Sequence, residues 1–207
     1  MEKLDLTKLY KSYYTAKASP EIIKIESANY LSIPGKGDPS DKLFLDKTQA
    51  LYSVAYTLKF AYKSKNKDFT VAKLEGLWWF DEARHNNLSL SETPQKVPRS
   101  QWEYRLLIRL PDFVSHNEIE AAKNAALAKK GFEAITEVEY FELNEGLTVQ
   151  MMHVGPFDKE IETLRIMSEM IKEKGFQKNG LHHEIYLSDF RKTSPEKLKT
   201  ILREPVR

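Results

Sequence analysis

Two glutamates sit where a carboxylate is expensive. Glu75 lies in Lys73-Leu-Glu-Gly-Leu-Trp-Trp79 and Glu184 in His182-His-Glu-Ile-Tyr186, segments otherwise rich in apolar and aromatic residues. Burying a carboxylate there costs free energy unless something pairs with it. In a strand, residues two apart share a face. Glu75 therefore goes with Leu77 and Trp79, and Glu184 with His182 and Tyr186. Trp102 and Tyr104 share a face of the next strand. If these faces meet, they enclose an aromatic-walled cavity with carboxylates at its base. Rings stack on flat ligands or hold cations, at about 0.5–2 kcal/mol each. A desolvated carboxylate is also a general base toward water. Tyr104 or Tyr186 could then hydrogen-bond a substrate oxygen that gains charge.

The two glutamates belong to a repeat. The first copy runs from Tyr30-Leu-Ser-Ile-Pro-Gly35 through a helical stretch to Lys73–Trp79. The second runs from Gln150-Met-Met-His-Val-Gly155 through a shorter one to His182–Tyr186. Gly35 and Gly155 are 120 apart (155 − 35), Glu75 and Glu184 109 apart (184 − 75). Equivalent placement predicts that both glutamates face one cleft.

His182-His183-Glu184 invites a metal reading. Neighbours on a strand point opposite ways, so His182 and Glu184 converge and His183 does not. A third ligand, such as His153, would have to come from elsewhere, and the spacing fits no zinc signature. No metal is expected, and no cofactor either. Pro34-Gly-Lys-Gly-Asp38 is not a phosphate loop, and there is no Gly-x-Gly-x-x-Gly or Gly-x-Ser-x-Gly. The absence of cysteine excludes disulfides, thiolate metal sites and cysteine nucleophiles, and fits a reducing compartment. A net charge of +2 argues against a nucleic-acid partner. No run approaches the ~18 apolar residues of a membrane span, and Met1–Tyr10 contains acids and lacks the apolar core of a signal peptide. A cytoplasmic protein with a small-molecule partner, and neither nucleic acid nor membrane, is the expectation.

The elements that must position these residues follow from pattern. Residues 1–20 read as an arm, with Leu4, Leu6, Leu9 and Tyr13 covering one edge of the body. Residues 21–207 read as one domain: a first module to about 112, a connecting helix and strand to about 143, and a second module from 144. Ile22–Ile33 reads as one strand and Pro34–Pro39 as a loop. Asp41–Tyr62 has three- and four-residue apolar steps and reads as a helix capped by Ser40. Phe69–Phe80 is a strand, 85–99 a long exposed loop placed as a lid, and Trp102–Leu110 a strand. Ser115-His-Asn-Glu118 opens a helix that Gly131 closes. Ile135–Leu143 and Leu147–Val154 are strands joined by an Asn144-Glu-Gly146 hairpin turn. Asp158–Lys174 is a helix, and Leu181–Leu187 and Leu198–Val206 are strands.

At this point a family resemblance enters. Ile33-Pro-Gly-Lys-Gly-Asp-Pro39, Leu74-Glu-Gly-Leu-Trp-Trp79, Trp102 with Pro111-Asp-Phe-Val114, Gln150 with His153-Val-Gly-Pro156, and His182-His-Glu-Ile-Tyr-Leu-Ser-Asp189 occur in that order. Together they resemble the stand-alone branch of the GyrI-like (gyrase-inhibitor-like) small-molecule-binding proteins, from about Ile22 to Val206. The resemblance implies an α+β fold of duplicated strand–helix–strand–strand modules with pseudo-twofold symmetry, antiparallel sheets forming a ligand cleft, and Glu184 in that cleft. Relatives fused to DNA-binding domains bind lipophilic cations as multidrug sensors, and this chain carries no such domain. Some stand-alone members are detoxifying hydrolases that open the strained cyclopropane of DNA-alkylating compounds. The expected site then has Glu184, Glu75, Tyr186 and Tyr104 as catalytic residues, and Trp79, Trp102, His153 and His182 as ligand-binding ones. The alternatives are a sensing or sequestering module without chemistry, and a gyrase-inhibitor-type protein-interaction module, to which the near-neutral charge gives little support.

Overall fold

The computed structural model describes residues 3–85, 88 and 92–207. Eight strands form one antiparallel sheet: β1 Glu21–Ile25, β2 Ala28–Lys36, β3 Leu74–Trp79, β4 Glu103–Arg109, β5 Glu139–Leu143, β6 Gly146–Val154, β7 His182–Tyr186 and β8 Lys199–Pro205. The helices are α1 Leu6–Leu9, α2 Lys42–Ser64, α3 Thr93–Lys96, α4 His116–Lys130 and α5 Glu160–Glu173. The sheet order is β1-β6-β8-β7-β3-β4-β2-β5. It is symmetric about the β7–β3 seam: β2-α2-β3-β4 builds one half, β6-α5-β7-β8 the other. The edge strands β1 and β5 each extend the first strand of a module.

Helix α2 buries Ala50, Leu51, Val54 and Leu58 against Leu31, Ile33, Leu106 and Ile108 of the sheet. Helix α4 packs on α2, where Ala122 and Ala126 permit close approach. Helix α5 lays Leu164 and Met167 on Val149, Met151 and Leu202. These helices share one face of the sheet. The N-terminal arm, residues 3–17, covers the other, seating Tyr13 and Tyr14 at full burial.

Two residues link β1 to β2 and two link β5 to β6. Such a link reaches about 10 Å, yet it joins one end of the strand order to the other. The sheet must therefore curl into a half-barrel that brings its edges together.

That curl accounts for several departures from the sequence reading. Ile22–Ile33 is two strands, β1 on β6 and β2 on β4 and β5, at opposite ends of the order. Asn144–Gly146 is not a hairpin turn, because β5 and β6 do not pair. Pro34 and Gly35 lie inside β2. Pro34 falls beyond Ser32, where pairing with β5 stops, so its missing N–H breaks no ladder on that side. Gly35 is required by close approach: a Cβ there would sit 2.3 Å from the Tyr104 ring. Asp41 rather than Ser40 occupies the N-cap position of α2. Ile135 falls in a 3-10 turn, Glu133–Glu137, ahead of β5. The 85–99 loop carries α3, and its residues 86, 87 and 89–91 lie outside those described.

Candidate ligand cavity

In the central ladder Gly76 stands opposite Glu184, and Glu75 opposite Ile185. Cross-strand partners share a face. The helix-bearing face therefore carries Trp78, His182, Glu184 and Tyr186. The arm-bearing face carries Glu75, Leu77, Trp79 and His183. The two glutamates point to opposite sides, so the shared cleft expected from the repeat does not exist. A twofold axis normal to a sheet preserves each residue's face, and in this ladder paired residue numbers have an even sum (76 + 184 = 260), so residues of β3 and β7 on one face differ by an even number. The offset of 109 (184 − 75) is odd, so with this register Glu75 is not the counterpart of Glu184.

A cavity of about 1020 Å³ lies over the helix-bearing face, between the start of α2 and α5. Phe44, Trp78, Trp102, Phe157, Ile161, Leu164 and Tyr186 line it, with Leu45 and Phe190 nearer solvent. Its buried polar groups are Glu184 and His182 from β7, Glu204 from β8 and Glu160 from α5, while the more exposed Glu82, Arg99, Asp158 and Lys178 also line it. Strand alternation delivers the first three. The fourth comes from the turn at Gly155, whose φ of 143° favours glycine. This turn starts α5 so that Glu160 shares the inward face with Leu164 and Met167.

Glu184 is held from two sides. Tyr186 Oη donates to its Oε2 at 2.6 Å, and His182 Nε2 donates to its Oε1 at 3.2 Å. Trp78 Nε1 donates to Tyr186 Oη at 3.1 Å, extending the chain. His182 Nδ1 donates to Glu204. Burial pulls the His182 pKa down, but Glu204 and Glu184 outweigh it and raise it to about 10. His182 is thus an imidazolium between two carboxylates. Burial, and next the charge of Glu184, push Glu160 well above the usual carboxylate range. Its Oε1 is buried with no hydrogen-bond partner among the described residues. Burial and Glu184 likewise raise Tyr186.

The opposite face holds a second polar cluster, and it is closed. His183 Nε2 donates to Glu75 at 3.0 Å and its Nδ1 to Glu145 at 2.9 Å. Tyr13 Oη donates to Glu75 at 2.5 Å, and Tyr30 Oη lies 2.8 Å from Tyr13 Oη. Arg203 bridges Glu145, Gln150 and the carbonyl of Tyr13. Burial opposes ionisation of His183, yet Glu145 and Glu75 raise it to about 9. Glu145 is lowered: burial pushes it up, and His183 and Arg203 more than compensate.

Of the residues singled out in the sequence, the cavity gathers Glu184, His182, Tyr186 and Trp102. Trp79 borders it, but its ring packs with Leu77 and Leu107 on the arm-bearing face and its Nε1 donates to Glu103 at 3.1 Å. Glu75 belongs to the closed cluster. Tyr104 is fully buried behind Trp78 and Phe44, its ring lying across Gly35. His153 is used up between the Thr163 hydroxyl, 2.9 Å, and the Pro156 carbonyl, 3.1 Å, tying α5 to β6. Sequence reasoning missed Trp78, Phe157, Glu204 and Glu160. For Glu160 a signal existed: it sits four and seven residues before Leu164 and Met167, on the apolar side of its helix. Among the described residues no group of three or more His, Asp or Glu is placed to hold a metal ion.

Comparison with solved structures places this geometry. An uncharacterized conserved protein from Listeria innocua is 38% identical, with a TM-score of 0.87 over 99% of this chain and 100% of that one. A hydrolase from Listeria innocua is 37% identical, with a TM-score of 0.84 over 99% and 100%. The C-terminal domain of EcmrR shares the fold at 11% identity, with a TM-score of 0.57 over 91% and 97%. No curated protein sequence matches. The model of the GyrI-like small molecule binding domain matches residues 18–207, and the chain belongs to that family.

Proposed function

We propose that this protein is a hydrolase of planar, electrophilic small molecules, and that it adds water to a strained conjugated ring such as a cyclopropane. One observation carries the reading: Glu184 lies at the floor of an aromatic cavity, oriented by Tyr186 and His182 and open to a ligand. The 37% identical hydrolase supports it. Glu184 takes a proton from water, and the oxygen of that water bonds to a ring carbon. The strained carbon–carbon bond breaks, and its electron pair moves into the conjugated carbonyl as an enolate or phenolate. The proton held by Glu184 returns to that oxygen, so the product is substrate plus water. Trp78 and Tyr186 hold the base in place; Trp102 and Phe157 hold the plane of the substrate.

The test is incubation with a DNA-alkylating cyclopropane compound, followed by mass analysis for a gain of water. Glu184→Gln keeps the side-chain shape and removes the base. Turnover should fall ~100- to 10,000-fold while binding persists. Undiminished turnover in Glu184→Gln would overturn the mechanism. A second reading, capture of planar organic cations without chemistry, is favoured by an acid excess around the cavity: five carboxyl groups (Glu82, Asp158, Glu160, Glu184, Glu204) against Arg99, Lys178 and the His182 imidazolium. Absence of turnover in the parent protein across several such electrophiles would select it.

A further inference from the structure

Glu160 is a buried carboxyl of the cavity to which the mechanism above assigns no task. Its side chain is nine-tenths buried, and Oε1 meets no donor among the described residues. Glu184 on the neighbouring strand already takes two donors, from Tyr186 and His182. A buried acceptor without a partner costs free energy, and a ligand that brings a donor relieves that cost. The space in front of it is walled by Trp78, Trp102, Phe157 and Tyr186. Phe157 stands edge-on to Tyr186, and Trp78 edge-on to Trp102, which leaves ring faces for a flat body.

We infer that Glu160 Oε1 is a donor-reading subsite: it accepts the N–H of an aminoaromatic ligand stacked among these rings. It thereby selects such a ligand over one equally flat and equally charged but lacking a donor. The inference rests on the cavity being a ligand site and adds the chemical class it prefers.

A proton is coupled to this recognition. The charged or titratable groups facing Glu160 are Glu184, His182 and Tyr186 on β7, Glu204 on β8, and Arg99 in the turn before β4. Burial and Glu184 outweigh His182, the Thr200 hydroxyl and Arg99, so the site favours the protonated form of Glu160. A cationic N–H ligand favours the ionised form and expels that proton. Affinity should then rise with pH, with about one proton released per ligand bound.

Two probes separate donor from shape and charge. Proflavine is a flat tricyclic cation with amino groups; 10-methylacridinium is a flat tricyclic cation without an N–H. Isothermal titration at pH 7, in two buffers of different ionisation enthalpy, reads affinity and proton release together. Proflavine should bind roughly 10- to 100-fold tighter than 10-methylacridinium, and release about one proton. Glu160→Gln should abolish the release and bring proflavine down to the level of 10-methylacridinium, whose own affinity is unchanged and certifies an intact cavity. Equal affinities without proton release in the unsubstituted protein overturn the inference, as does Glu160→Gln weakening both dyes alike. In both cases the cavity still stands as a ligand site. Failure of both dyes to bind overturns the ligand-site reading itself. If Glu160→Gln does not fold, the proton count of the unsubstituted protein with the two dyes decides.

Discussion

The two faces of the β3–β7 seam carry the same chemistry to opposite ends. On each face a histidine from β7 lies between two glutamates: His182 between Glu184 and Glu204, His183 between Glu75 and Glu145. On the arm-bearing face the cluster is closed. Arg203, Gln150, Tyr13 and Tyr30 complete it, and the arm seals it from solvent. On the helix-bearing face the cluster opens onto a cavity, and one buried carboxyl oxygen has no partner among the described residues. A buried polar group with every valence met contributes specificity to the fold. One left unmet is a stored cost that a ligand can relieve. Residue type therefore did not distinguish structure from function here; the completeness of the partner set does.

Breaking the closed face should have the largest effect. Arg203→Ala leaves the Glu145 carboxylate buried with one partner fewer, and should lower unfolding free energy by about 3–5 kcal/mol in chemical denaturation. The affinity of the fraction that remains folded should stay within a few-fold of the parent. A loss of affinity without loss of stability would erase the contrast between the faces.

The pH dependence of stability sharpens it further. Both histidines have pKa values raised from 6.5, His183 to about 9 and His182 to about 10. A group whose folded pKa is raised contributes its full stability below the unfolded value and loses it as pH rises through the folded one. The denaturation midpoint should therefore fall between about pH 7 and pH 10. Glu145 acts in the other direction, since its lowered pKa withdraws stability as pH falls into the acid range. A flat profile from pH 7 to pH 10 would mean that neither imidazolium is paired as described.

The mildest test removes one oxygen. Tyr13→Phe deletes the hydroxyl that donates to Glu75 and contacts Tyr30. It should cost about 1–3 kcal/mol, the range for a buried hydrogen bond to a charged group. Unchanged stability would mean that the arm docks through its apolar residues alone.

Recurring motifs, not rhythm, pointed to the duplication, and periodicity was enough to read α2 and α5, each with a clear apolar rhythm. It also led to Glu184, where a carboxylate interrupts an aromatic strand. The split of Ile22–Ile33 was hidden because Glu26-Ser27 carries no glycine or proline to mark the turn. Glu75 misled because its setting resembles that of Glu184, and one residue of register reverses the face. The closed cluster was out of reach. Its members come from Tyr13, Tyr30, Glu75, Glu145, His183 and Arg203, whose proximity is set by the curl of the sheet and by no local pattern.

The bond from Arg203 to the carbonyl of Tyr13 spans 190 residues of sequence. The arm is thus completed by a residue of β8, the strand farthest from it in sequence. Until β8 joins the sheet, the arm lacks the partner that anchors it, and Glu75 and His183 face water. Contacts this distant in sequence form slowly, because the intervening chain must be ordered before they repay its entropy. The arm should therefore be the last part to become protected from hydrogen exchange during refolding, and a chain stopped short of β8 should leave it exposed to proteases.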